Sequence, residues 1–203
     1  FDVSECAALV EYIKSEKAYA DVIIIGGCKE CFDLNLVLEE LNKNENLEIK
    51  SEKKLEYESK EAKKLLEDYE IEKVPAIIIK SRDIEKINLD KNLFFIRKNY
   101  AIFDKAVPYI DLKTNILVGL VEIKEIQDIS CSECSNFSSI LNGLKNIKIK
   151  IENYEIVSSS SEKGKELIKE NNIIFLNALL ISKEIQEYWW IFNSLKDNLV
   201  EQE

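Results

Sequence analysis

The sequence predicts an α/β protein in which one unit, a central mainly parallel or mixed sheet flanked by helices, occurs twice. The first observation is a repeated C-x-x-C motif, at Cys28 and Cys31 and again at Cys131 and Cys134. The second is a set of apolar residues at helical spacing that follows each motif. Leu34, Val37, Leu38 and Leu41 correspond to Phe137, Ile140, Leu141 and Leu144. The third is the similarity between residues 62–79 and residues 164–181, and together these observations indicate two copies of one fold.

In the first copy, the residue pattern alternates between strands and helices. Residues 22–25 form a β-branched run that two glycines end, which is typical of a strand buried on both faces. Ser59 precedes an amphipathic segment and predicts a capped helix over 61–69. The other predicted elements are helices over 4–17 and 31–44 and strands over 47–50 and 76–79. This alternation predicts βαβ units and a largely parallel sheet.

The second copy follows the same order. Its predicted elements are strands over 116–126, 147–151 and 178–181 and helices over 131–142 and 161–170. Between the copies, residues 92–103 predict a hairpin that turns near Lys98 and Asn99, and "VPYIDLKTN" predicts an extended connector. The boundary between two domains is therefore expected in this region.

Composition narrows the possible functions. The chain has 203 residues and a net charge of -10, which favours solubility and disfavours nucleic acid and anionic membranes as partners. No apolar run approaches the roughly 20 residues of a membrane span. Histidine is absent, which excludes Ser–His and Cys–His nucleophile pairs and most catalytic zinc sites. The chain begins at Phe1, as a processed or anchored protein would, so an extracytoplasmic location is favoured although the compartment stays open.

The order strand, C-x-x-C, helix and then a "VPA" loop resembles the thioredoxin superfamily. The tandem arrangement resembles the two-domain protein disulfide oxidoreductases of that superfamily. The resemblance implies two tandem thioredoxin-like domains, over residues 1–92 and 112–203, which a hairpin and connector over 93–111 would join.

The resemblance also implies roles for residues of the first copy. In that family the first cysteine attacks, the second resolves, and a cis proline packs beside them; Cys28, Cys31 and Pro75 match this pattern. The backbone before the proline, at Val74, would pair with a substrate peptide. Independently of the family, a helix that starts at the motif would stabilise a Cys28 thiolate, and Cys31 one turn later could displace a mixed disulfide.

The second copy departs from the family pattern. Asn177 takes the place of Pro75, and because a non-proline cis bond costs roughly 2.5–4 kcal/mol we expect a trans bond there. Glu125 lies where some thioredoxins hold a buried acid that accepts the proton of the resolving thiol, but it could equally be a solvated strand residue. Cys131 and Cys134 are accordingly predicted to be a relay pair or a structural disulfide.

The leading hypothesis is a thiol–disulfide oxidoreductase that exchanges electrons with protein or peptide disulfides through Cys28 and Cys31. It would require no cofactor, and its partners would be protein thiols and disulfides together with a redox partner. A metal-binding protein is an alternative because four thiolates form a zinc or iron–sulfur ligand set, although 99 residues separate the two motifs. A non-catalytic interaction module with structural disulfides is a third possibility.

Overall fold

The computed structural model describes residues 17–131, 134 and 137–195. The chain divides into two compact units, of which the first ends at Ile116 and the second begins at Leu117. The predicted helix over 4–17 lies, except for Lys17, outside the described residues. No helix in the described part of the chain is both long enough and apolar enough to cross a membrane.

Strands and helices alternate along the second unit and, in the first unit, as far as α2. The first unit contains β1 (Ala18–Gly26), α1 (Asn35–Lys43), β2 (Leu47–Glu56), α2 (Lys60–Asp68), β3 (Lys73–Val74), β4 (Ala76–Lys80), a 3-10 turn (Ile84–Lys86), β5 (Phe94–Arg97), β6 (Tyr100–Phe103) and β7 (Tyr109–Asp111). A short strand, β8 (Ile116–Val118), leads into the second unit. That unit contains β9 (Val121–Gln127), α3 (Ser138–Asn146), β10 (Ile151–Ser158), α4 (Glu162–Glu170), β11 (Ala178–Ile181), a 3-10 turn (Lys183–Glu187) and α5 (Trp189–Leu195).

The first unit is built on a five-stranded sheet in the order β2-β1-β4-β6-β5. Strands β1 and β2 are parallel, whereas β4 is antiparallel to both β1 and β6. The predicted hairpin is present as β5 and β6, with Arg97 paired to Tyr100. The sheet is therefore mixed, as one of the two predicted arrangements has it, and the prediction of a largely parallel sheet is wrong. After α2 the chain enters the sheet beside the end of β1, because Ala76, the first residue of β4, pairs with Ile25, the last residue but one of β1.

Strands β1 and β4 carry apolar residues on both faces. Val22, Ile24, Ile77 and Ile79 belong to one core cluster, and Ile25, Ala76 and Ile78 belong to another. Helix α1 contributes Leu38 and Leu41 to the first cluster, and α2 contributes Ala62 and Leu66 to the second. This two-sided burial explains why the strand residues form a continuous β-branched run rather than an alternating pattern.

The second unit has a three-stranded sheet in the order β10-β9-β11. Strand β10 is parallel to β9 and β11 is antiparallel to it, which is the arrangement of β2, β1 and β4 in the first unit. The strand predicted over 116–126 is divided, because Gly119 adopts a φ of 92° between β8 and β9. The strand predicted over 147–151 begins only at Ile151, because α3 extends to Asn146 and Lys148 follows in a left-handed conformation.

Serine side chains begin the second helix of each unit. The Ser59 hydroxyl accepts a hydrogen bond from the Ala62 backbone N–H at 3.2 Å, which is the predicted cap of α2. The Ser161 hydroxyl caps α4 in the same way, accepting from the Gly164 N–H at 3.0 Å. It also donates to the Ser158 carbonyl at 2.7 Å, so this cap ties the helix to the end of β10.

Candidate active site: two cysteine pairs

The first cysteine pair lies immediately beyond β1, an interior strand of its sheet. Strand β1 ends at Gly26, and Cys28 and Cys31 form a disulfide with a Cα–Cα separation of 5.0 Å. The Cys31 N–H donates to the Cys28 carbonyl at 3.2 Å and closes a turn. Both cysteines are half-buried and pack against the core cluster that contains Ile25.

The helix that follows this pair begins later than predicted. Helix α1 starts at Asn35, whose N–H donates to the Asp33 carboxylate at 2.9 Å, so the expectation that Cys28 opens a helix is wrong. Asp33 competes for backbone donors ahead of the helix, as short acidic side chains often do. The backbone donor beside the sulfurs is instead the Cys28 N–H, which points to Cys31 Sγ at 2.9 Å.

Pro75 lies beside the first pair. The Val74–Pro75 peptide bond is cis. A Cβ atom added to Gly27 would lie 2.9 Å from Pro75 Cδ and 3.0 Å from Cys31 Sγ. Because no side chain fits there, the glycine allows both Pro75 and Cys31 to approach its backbone closely.

The backbone edge at Val74 is already paired. Strand β7 runs antiparallel to β3, with Lys73 opposite Asp111 and Val74 opposite Ile110, and Val74 has no exposed surface. The expectation that this edge is open to a substrate strand does not agree with the structure. A role for Val74 and Pro75 in substrate binding stays a prediction, and it requires β7 to leave the edge.

The second cysteine pair follows the central strand of the second unit. Strand β9 ends at Gln127, and Cys131 and Cys134 form a disulfide with a Cα–Cα separation of 5.5 Å. Cys131 is half-buried and Cys134 is exposed. Helix α3 begins at Ser138, after the pair rather than at Cys131 as predicted.

The turn before Cys131 is organised by Asp128. The Asp128 carboxylate accepts hydrogen bonds from the Ser130 hydroxyl at 2.6 Å and the Ser130 N–H at 2.9 Å, which lower the pKa of Asp128. The Asp128 N–H donates to the Asn177 side-chain oxygen at 2.9 Å. Asn177 thus connects the loop before β11 to the second pair through an acceptor that a proline would lack.

The peptide bond between Leu176 and Asn177 is cis, so the prediction of a trans bond is wrong. The side chains beside this bond are open to solvent: Ile174 is 86% exposed and Phe175 is 82% exposed. Ile129, two residues before Cys131, is 74% exposed. Exposed apolar side chains therefore flank the second pair on two loops.

Glu125 is buried on β9, with 1% of its surface exposed, so the solvated alternative is wrong. Its carboxylate accepts hydrogen bonds from Tyr154 Oη and from Gln127 Nε2, the latter at 2.5 Å. Burial, together with the hydrogen bond and charge of Glu125, raises the pKa of Tyr154 to about 12. The Phe137 backbone nitrogen, three residues after Cys134, lies 3.5 Å from Glu125 Oε1. A role for Glu125 as a proton acceptor stays a prediction.

The sequence prediction missed strand β7 and treated its residues as a connector. A usable signal was present, because Val107–Pro108 repeats the dipeptide Val74–Pro75 within an apolar stretch. The Val107–Pro108 bond is cis as well.

No known family model and no curated protein matches this chain. Among solved structures, the chain is similar to the NTD_N/C domain of alkylhydroperoxide reductase AhpF from Enterococcus faecalis (V583), with 16% identity, 90% of each chain covered and a TM-score of 0.24. It is also similar to a mutant of alkylhydroperoxide reductase AhpF from the same source, again with 16% identity and 90% of each chain covered, and a TM-score of 0.23. TM-scores this low carry no inference about the function of this chain.

Proposed function

We propose that this protein is a thiol–disulfide oxidoreductase with two redox pairs, Cys28 with Cys31 and Cys131 with Cys134. The observation that supports this most is that both pairs occupy the same place, just beyond a strand, β1 or β9, that has a parallel neighbour on one side and an antiparallel neighbour on the other. In both pairs the Cα atoms are close enough to make and break a disulfide without backbone rearrangement.

The proposed exchange transfers two electrons. In the reducing direction, a thiolate of the pair attacks a partner disulfide, the partner S–S bond breaks, and one partner sulfur leaves as a thiolate. The second cysteine thiolate then attacks the mixed disulfide, which forms the protein disulfide and releases the other partner sulfur. The two protons lost by the cysteine thiols are balanced by the two that the partner thiols gain. Both pairs are disulfides in the structure. This oxidised state is the product of the reaction in the reducing direction and the reactant in the opposite direction.

The two units are proposed to correspond to the two thioredoxin-like domains expected over residues 1–92 and 112–203, with the hairpin of β5 and β6 as part of the first unit. The partners are proposed to be protein or peptide thiols and disulfides, and the chemistry requires no cofactor. In the oxidised state all four motif cysteines are in disulfides, and the described residues contain no cluster of three or more acidic, cysteine or histidine side chains that could hold a metal ion.

Insulin reduction tests this proposal, with dithiothreitol as the reductant and precipitation of the insulin B chain as the readout. The wild-type protein is expected to accelerate precipitation at least about tenfold over dithiothreitol alone, because a positioned thiolate pair exchanges faster than a free dithiol. The control replaces all four motif cysteines with serine and is expected to give the rate of dithiothreitol alone. Equal rates for the wild-type and four-serine proteins would show that the disulfides are structural.

A further inference from the structure

Residues 106–112, here called the cover segment, lie against the first cysteine pair. The Phe32 N–H, directly after Cys31, donates to the Pro108 carbonyl at 2.8 Å. The Leu112 N–H donates to the Glu72 carbonyl at 2.9 Å, and between these two bonds β7 pairs with β3. The cover segment thus forms backbone hydrogen bonds with Phe32, which follows Cys31, and with Glu72, which precedes β3.

Side chains hold the cover segment in place. Ala106, Val107, Tyr109 and Ile110 are all buried. Ile110 belongs to the core cluster against which Cys28 and Cys31 pack, and Lys73 Nζ lies 4.1 Å from the centre of the Tyr109 ring. Beyond β7, the Asp111 carboxylate accepts from the Lys113 and Thr114 N–H groups, both at 2.9 Å, which fixes the turn that ends the segment.

The second unit has no equivalent strand in the part of the chain that the structure describes. Residues 174–176 stand directly before Asn177, as Lys73 and Val74 stand directly before Pro75. In the described part of the chain they pair with no strand. Their apolar side chains are exposed, and so is Cys134. In the first unit, β7 is an extended apolar stretch that pairs with this edge. The corresponding edge of the second unit is therefore suited to pair with an extended apolar stretch of another polypeptide.

We propose that the cover segment excludes polypeptide partners from Cys28 and Cys31, so that polypeptides exchange electrons with Cys131 and Cys134 while the first pair reacts with small thiols. The proposal rests on the proposed function, because it assumes that both pairs are redox-active. The first pair is half-buried rather than fully covered, so a small dithiol can reach a sulfur. A polypeptide must also place a strand along the edge that β7 occupies.

The test compares the two pairs in one protein. One variant keeps only the first pair, through Cys131→Ser and Cys134→Ser, and the other keeps only the second, through Cys28→Ser and Cys31→Ser. Each oxidised variant is reduced by dithiothreitol and, separately, by a synthetic extended peptide dithiol with apolar residues beside its cysteines. Acid quenching, alkylation and mass spectrometry give the second-order rate constants.

The ratio of the peptide rate to the dithiothreitol rate is expected to be at least about tenfold lower for the first pair, because access controls exchange. Equal ratios for the two pairs would overturn the proposal. If neither pair reacts with either reagent, the proposed function itself fails.

Release of the cover segment is tested in the variant that keeps only the first pair. Asp111→Ala removes the acceptor that holds the turn, whereas the control, Asp111→Asn, keeps an acceptor oxygen. Asp111→Ala is expected to raise the peptide rate at least about threefold and leave the dithiothreitol rate unchanged, and Asp111→Asn to change neither.

Ile110→Ala, which removes a buried side chain of the cover segment, is a second release variant with the same expected result. Hydrogen exchange at the Leu112 amide measures how far the segment has been released. Faster exchange at this amide without a faster peptide reaction would overturn the proposal.

Discussion

Cys131→Ser is expected to lower the turnover of a peptide disulfide at least about tenfold, and Cys28→Ser to lower it less than about twofold. The reason is access: β7 occupies the edge beside the first pair, whereas Cys134 is exposed and the loop at Phe175 is open. The assay uses dithiothreitol to reduce the protein again after each exchange, so no transfer between the two pairs is needed.

The same assay with a small aromatic disulfide as substrate is the control for this prediction. Both serine variants should retain comparable turnover of that substrate, because either remaining pair can reach a small molecule. The reverse ranking with the peptide, in which Cys28→Ser abolishes turnover and Cys131→Ser does not, would assign the polypeptide site to the first unit.

Gly164→Ala is expected to destabilise the protein by about 1–3 kcal/mol, the usual cost of forcing atoms into a packed site. An added Cβ would overlap the Ser158 carbonyl oxygen and lie 2.9 Å from its carbon and 3.0 Å from Ser159 Cα. These are backbone atoms, and the Ser158 carbonyl also accepts the Ser161 hydroxyl that caps α4. The helix start and the end of β10 would therefore have to separate.

Gly143→Ala is the matched control, because Gly143 is also a helical glycine of the second unit, but an added Cβ would have no heavy atom within 4 Å beyond its chain neighbours and the backbone of its own helix. It should raise the free energy of unfolding by about 0.5–1 kcal/mol, the intrinsic preference for alanine over glycine in a helix. Urea unfolding of both variants measures the difference. A Gly164→Ala protein as stable as the wild type would show that α4 does not pack against Ser158 as described.

The elements that the sequence predicted well are those that burial determines. The run from Val22 to Ile25 has no polar residue because both faces of β1 contact a core cluster, and that pattern is visible without a structure. The repeated C-x-x-C likewise located both disulfides, since three-residue spacing brings the sulfurs together in a turn.

The elements that the sequence predicted poorly depend on individual polar contacts or on pairing between distant segments. Helix α1 begins at Asn35, whose N–H donates to the Asp33 carboxylate. The spacing of apolar residues does not predict such a hydrogen bond. The pairing of β7 with β3 joins Asp111 to Lys73 across 38 positions, and a short strand of three residues has too little pattern to identify its partner. The role of Asn177 as a hydrogen-bond acceptor could not be predicted, because its donor, the Asp128 N–H, lies far away in the sequence.

The most direct test of the central claim is the reduction potential of each cysteine pair in the folded wild-type protein. The protein is equilibrated in thiol–disulfide buffers of defined potential, quenched with acid and alkylated, and the two motif peptides are separated by mass spectrometry. Two redox pairs predict two reversible transitions, each with the slope of a two-electron couple, about 30 mV per tenfold change in the ratio of oxidised to reduced protein. Pairs that stay oxidised until the protein unfolds, or that never form a disulfide in oxidising buffer, would contradict the account.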